Sequence, residues 1–153
     1  MKHAHPNLFR VSAAANLALH AALLLARYDD RPARTRELAG TLGASEAHLA
    51  KVLRQLERQG LVRGTRGPSG GFRLARPAAA VTLLEVYEAV EGRAGNGRCI
   101  FGIATCDGRV CSLGGYFRKV NREVLARLAN TRLSDVGIRI GVKRGKAQED
   151  NQD

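Results

Sequence analysis

Cysteine is scarce in this 153-residue chain: Cys99, Cys106 and Cys111 are the three present. An odd number confined to one short stretch disfavours a disulfide scaffold and leaves metal binding, redox sensing or plain burial. No Cys-x-x-Cys pair occurs, which disfavours a closed zinc site built from two close ligand couples. Long apolar runs are also missing. The N-terminal stretch is interrupted by Asn16 and His20, and Leu17 to Ala26 is too short to span a bilayer. It lacks the succession of charged, apolar and cleavage segments of a secretory leader, so a buried helix, no membrane partner and a cytoplasmic location are expected. Histidine numbers four, and no histidine and acid pair attends a nucleophile, so enzymatic activity is not expected. Acidic residues are the last scarcity: 14 Asp and Glu face 25 Lys and Arg, a net charge of +11. That balance points to an anionic partner, nucleic acid or an acidic membrane.

What is present reads mainly as helix. Val11 to Tyr28 is nearly continuous in Ala and Leu, and so much apolar surface implies burial on more than one side. After the polar link "DDRPAR", Thr35 can cap a short helix carrying Leu38, Ala39 and Leu42, which Gly43 ends. Ser45 caps the next helix, where Leu49, Val52, Leu53 and Leu56 recur at i, i+3, i+4 and i+7 until Gly60 stops it. The period then changes. Leu61 to Thr65 and Phe72 to Ala75 alternate around "RGPSGG", the pattern of a β-hairpin. Thr82 caps "LLEVYEAVEG", the three-cysteine stretch follows, and a longer helix begins near Gly115 with Tyr116, Phe117, Val120, Val124, Leu125 and Leu128 on one face. "LSDVGIRI" is placed as a short returning piece, and "KRGKAQEDNQD" has nothing apolar to bury.

Two helices joined by the tight "LGAS" turn, the second followed at once by a glycine-tipped hairpin, make a winged helix-turn-helix. Between Lys51 and Arg76 stand seven basic residues and one acid, Glu57, so charge and motif coincide. With the leucine stripe inward, Ala47, Lys51, Arg54 and Arg58 project outward, where the second helix of this motif enters a major groove. The DNA-contacting set expected is Ser45, Ala47, His48, Lys51 and Arg54 from the helix, with Arg66, Ser69 and Arg73 from the wing. Arg66 at the hairpin tip suits a narrow minor groove. His48, at the edge of the inward stripe, either packs beside Leu49 and Val52 or meets DNA.

The helix "LALHAALLLA", the segment "LAGTLGASEAHLAKVLRQLERQGLV", the wing "RGPSGGFRLAR", the "VTLLEVYEAVEG" helix, the three-cysteine loop and the final helix together resemble the IscR and NsrR type of bacterial transcription regulator. The likeness covers residues 10 to about 136, and the run Arg66 to Phe72 is its most specific piece. It implies a fold that is mainly α with a small β-hairpin wing, plus a long C-terminal dimerisation helix. It also implies a homodimer on a partly palindromic operator in double-stranded DNA, acting most often as a repressor. The expected organisation is a DNA-binding domain over 8–92, a cysteine sensor loop over 93–114, a dimerisation helix and terminal segment over 115–141, and a disordered tail over 142–153.

Several members of that family hold an iron-sulfur cluster, 2Fe-2S or 4Fe-4S, on three cysteines, and the matching positions are Cys99, Cys106 and Cys111. Thiolates are the soft ligands that iron takes. A fourth ligand is needed. Gly114 stands where IscR-like members have a histidine, and Asn16 where some NsrR-like members use an aspartate of the partner subunit. His20, four residues beyond Asn16 on the same helical face, is the preferred fourth ligand, its alternative being a hydrogen-bonded histidine at the dimer interface. A metal-free thiol or disulfide sensor, and incidental or zinc-binding cysteines, remain alternatives for the loop. The alternative function is a redox or iron-sulfur carrier docking an acidic protein; it leaves the wing without a purpose.

Overall fold

Ser12 opens the first helix by accepting a hydrogen bond at Oγ from the Ala15 amide at 3.0 Å. In the computed structural model, which describes residues 11–28, 31–94 and 111–137, that helix is α1, Ala13–Leu25. Cys99, Cys106 and the 142–153 segment lie outside the described residues. The helix is shorter than its apolar run. Arg27 and Tyr28 donate to carbonyls three residues back, Leu24 and Leu25, which tightens the end into turns. Ala15, Ala18, Ala21, Ala22 and Leu23 to Leu25 are all buried, as a helix packed on more than one side requires.

Helix α2, Thr35–Leu42, starts one residue earlier than a cap at Thr35 would place it: Arg34 occupies the N-cap and Thr35 is already helical. The cause lies upstream. Ala33 exchanges two hydrogen bonds of 2.8 Å with Phe72, so the chain passes directly from a strand pairing into the helix. Gly43 ends α2 in the left-handed region at φ +62°, and Ser45 then caps α3, Glu46–Arg58. Leu49, Val52, Leu53 and Leu56 are at most 1% exposed, the full stripe anticipated from their spacing. Each such side chain contributes roughly 1.5–3 kcal/mol by leaving water.

Strands β1, Val62–Thr65, and β2, Gly71–Leu74, pair antiparallel from Val62 opposite Leu74 to Thr65 opposite Gly71. The bridge at Ala33 adds a third, one-residue edge, so β2 lies in the middle. A Cβ at Gly71 would overlap the Ala33 carbonyl, so glycine is what allows that approach. Helix α4, Leu83–Glu91, begins with a capping box between Thr82 and Glu85 and packs on α1 and α3.

Helix α5, Ser112–Asn130, begins three residues before the expected Gly115, because the Cys111 sulfur caps it by accepting the Gly114 amide at 3.2 Å. It lies against α4. The chain then returns: Leu133 donates its amide to the Val81 carbonyl at 3.0 Å and is 2% exposed, so the start of "LSDV" packs back as expected. The fold is therefore mainly helical with a two-stranded wing, and among the described residues no helix is long and apolar enough to cross a membrane.

Candidate nucleic-acid interface

The stripe that anchors α3 also decides what it presents. With four residues inward, Ala47, Lys51, Arg54 and Arg58 are exposed, and Ala50 is half-buried beside them. Ser45 is exposed, but its hydroxyl accepts the His48 amide at 3.5 Å and so is engaged in the cap. The N-terminal end of α3, with its partial positive charge, thus stands at an open surface.

The wing stands beside this helix. Arg66 and Ser69 are exposed near its tip and Arg73 is half-buried on β2. Between wing, α3 and the start of α2 runs an open cleft of about 730 Å³ lined by Arg34, Arg36, Arg54, Arg58 and Arg66, with Glu46, Glu57, Phe72 and the backbone of Gly70 and Gly71. Among the described residues none of Lys51, Arg54, Arg58, Arg63, Arg66 or Arg73 makes an ion pair, whereas Arg76 is held by Glu85 at 2.7 Å. Six cations are thus available to a polyanion, and Arg76 is committed to holding the fold. Arg34, Arg36 and Glu57 at this cleft were not anticipated from the sequence. The clue was register: Ala33 and Arg34 belong to the wing only through pairing with Phe72, which no local pattern encodes.

His48 is exposed and not packed among Leu49 and Val52. It lines a second cleft, of about 320 Å³, together with His20, Asn16, Leu17 and Leu42. His20 shares a hydrogen bond of 2.8 Å between Nδ1 and the Asn16 carbonyl. A carbonyl partner makes Nδ1 the donor and leaves the Nε2 lone pair for a ligand.

Cys111 is unpaired and half-buried at the start of α5, where its sulfur faces the Gly114 amide. Among the described residues no group of three or more His, Cys, Asp and Glu is placed to hold a metal ion. The described donors fit an iron-sulfur group in kind: a free thiol at a helix N-terminus and an imidazole with one nitrogen oriented by a carbonyl.

Residues 11–137 match the Rrf2 family, described as an iron-dependent transcriptional regulator. Protein aau3 of Rhizobium meliloti is 38% identical over 82 residues, 54% of this chain and 53% of that protein. The chain spans about half the length of the curated relatives of this kind, such as aau3 and YwgB of Bacillus subtilis. Among solved structures, CymR, the global cysteine regulator of B. subtilis, superposes with a TM-score of 0.69 at 22% identity, covering 83% of this chain and 95% of that one. IscR of T. potens superposes with a TM-score of 0.67 at 23% identity, covering 83% and 85%. Those two likenesses show a shared fold.

Proposed function

Because this chain belongs to the Rrf2 family of transcriptional regulators, we propose that it works as a homodimer on a partly palindromic operator in double-stranded DNA, as a repressor whose affinity follows the state of Cys99, Cys106 and Cys111. The family consists of regulators and not enzymes, and this chain has the winged-helix fold of a DNA-binding protein. The single observation that carries the DNA reading is the cleft between α3 and the wing, lined by five arginines. On this reading α3 lies in the major groove, with Ala47 near the bases and Lys51 and Arg54 reaching guanine edges or phosphates. Ser45, His48, Ser69 and Arg73 flank these contacts, and Arg66 enters the adjoining minor groove.

The three cysteines and His20 would hold an iron-sulfur cluster, which when bound supplies sensitivity to oxidant, iron supply or nitric oxide. The free thiol of Cys111 and the oriented imidazole of His20 support this set. Cys111 also caps α5, so a change at its sulfur acts directly on the start of the helix proposed to join the two subunits. A shift of that helix alters the spacing of the two α3 helices, and two half-sites on one duplex tolerate little error in it.

The test is a gel shift with anaerobically purified protein, read beside its visible spectrum and iron content. Brown, iron-containing protein whose DNA affinity changes on exposure to air is the expected result. Colourless, iron-free protein from iron-replete anaerobic cells removes the cluster, and absence of any shift on promoter DNA removes the operator. Arg66→Ala is expected to weaken binding most on duplexes with a narrow, A/T-rich minor groove. An Arg66→Ala protein that binds like the parent overturns the role of the wing.

A further inference from the structure

The single acid between Lys51 and Arg76 stands where charge alone would not put it. Glu57 lines the arginine-rich cleft with Arg54, Arg58 and Arg66, on the face read as DNA-contacting. A carboxylate there repels phosphate, so its presence calls for a compensating role. Its contacts supply one. Glu57 Oε1 accepts the Gly64 amide at 2.8 Å, joining α3 to β1. In the pairing, Phe72 bonds outward to Ala33, which leaves β1 as the opposite edge of the small sheet with a backbone donor facing away from β2. Glu57 fills that edge position. A Cβ at Gly64 would stand 2.9 Å from Oε1 and 3.3 Å from the Phe72 ring, so with glycine there the carboxylate lies directly against the β1 backbone.

The wing has a second tie. Arg34 Nη2 donates to the Pro68 carbonyl at 2.6 Å, near the tip, from the N-cap of α2. One strut therefore runs from α3 to the near edge of the hairpin and another from α2 to its far end, and Arg66 lies between the two attachment points, at Gly64 and Pro68.

We propose that Glu57 is a positioning residue for DNA binding: through the Gly64 amide it sets the angle between α3 and the wing, so that Arg66 reaches the minor groove while α3 occupies the major groove. The proposal rests on the reading of α3 and the wing as the DNA-contacting elements. Its electrostatic and positional effects have opposite signs, and that separates them. Glutamine keeps a carbonyl oxygen for the Gly64 amide and removes the charge; alanine removes both.

The experiment uses full-length protein with two probes, a duplex selected from a randomised pool by the parent protein and an unselected random-sequence duplex, each titrated by fluorescence anisotropy. Glu57→Gln is expected to bind the selected duplex at least as tightly as the parent. Glu57→Ala is expected to bind it about tenfold more weakly, while binding the random duplex no more weakly than the parent does. Amide exchange at Gly64 provides a readout independent of DNA: slow in the parent and in Glu57→Gln, faster in Glu57→Ala. Equal affinity of Glu57→Ala and Glu57→Gln for the selected duplex overturns the proposal, as does unchanged Gly64 exchange in Glu57→Ala. Failure of the parent to select any duplex overturns the DNA reading itself and the proposal with it, an outcome distinct from a parent that selects and variants that do not differ.

Discussion

At the scale of single residues, the junction at Thr82 ties several parts of the fold together. The Glu85 amide donates to Thr82 Oγ at 3.1 Å, and the Thr82 amide donates to Glu85 Oε2 at 2.8 Å, while Arg76 binds the other carboxylate oxygen at 2.7 Å. Burial alone would raise the Glu85 carboxyl, but the Thr82 amide, Arg76 and the Thr82 hydroxyl together hold it below its ordinary value. A lowered acid stabilises the fold above its unfolded value, near 4.5, and that stability is lost as pH falls through the lowered one. Urea titrations of the parent should therefore show stability falling as the medium is acidified below pH 4.5, with a shallower fall in Glu85→Gln. Equal slopes would mean that the pairing contributes nothing. Thr82→Ala, which removes the cap, is expected to cost about 1 kcal/mol by the same titration.

At the scale of elements, α5 is the helix whose apolar face is only partly covered. Leu113, Tyr116 and Val124 are 54%, 62% and 50% exposed, whereas Phe117, Val120, Leu125 and Leu128 are half-buried. Tyr116 and Phe117 meet edge to face with ring centroids 5.7 Å apart, so the open side is aromatic as well as aliphatic. The spacing of these residues required that a face be buried; within one chain α4 covers only part of it. If a second copy covers the rest, Val124→Glu places a charge in that interface and should weaken the dimer by about 2 kcal/mol or more. Sedimentation equilibrium should then show monomer at concentrations where the parent is dimeric. A Val124→Glu protein that remains as dimeric as the parent would move the interface away from α5.

At the scale of the whole molecule, charge is concentrated where the fold can use it. The segment from Lys51 to Arg76 carries a net +6 of the chain's +11, and helix α3 and the wing bring its Arg54, Arg58 and Arg66 to one cleft with Arg34 and Arg36. Affinity for DNA should consequently fall steeply with salt. If about four cations per subunit meet phosphate, a dimer should show a log-log slope of about −7, and Arg66→Ala should reduce its magnitude by about 1 for each phosphate that Arg66 neutralises in the parent. A flat response measured by anisotropy across a salt series would exclude phosphate contact by this face.

Local signals wrote much of this architecture into the sequence. The stripe from Leu49 to Leu56, the caps at Ser45 and Thr82, the stop at Gly43 and the turn in "RGPSGG" each act within a few residues, and the exposed positions of Lys51, Arg54 and Arg66 follow from them. The sequence alone likewise determined the family and the basic character of the winged face. Only the tertiary structure decided that Ala33 bridges to the wing, that Arg34 and Glu57 brace it, that Cys111 caps α5, and that His20 and His48 share a cleft. Ala33 with Phe72 and Arg34 with Pro68 lie more than thirty residues apart, and pairings of that kind arise when packed helices bring distant backbone donors and acceptors together. Periodicity reports which face of an element is buried; what that face meets is settled by the packing of the whole chain.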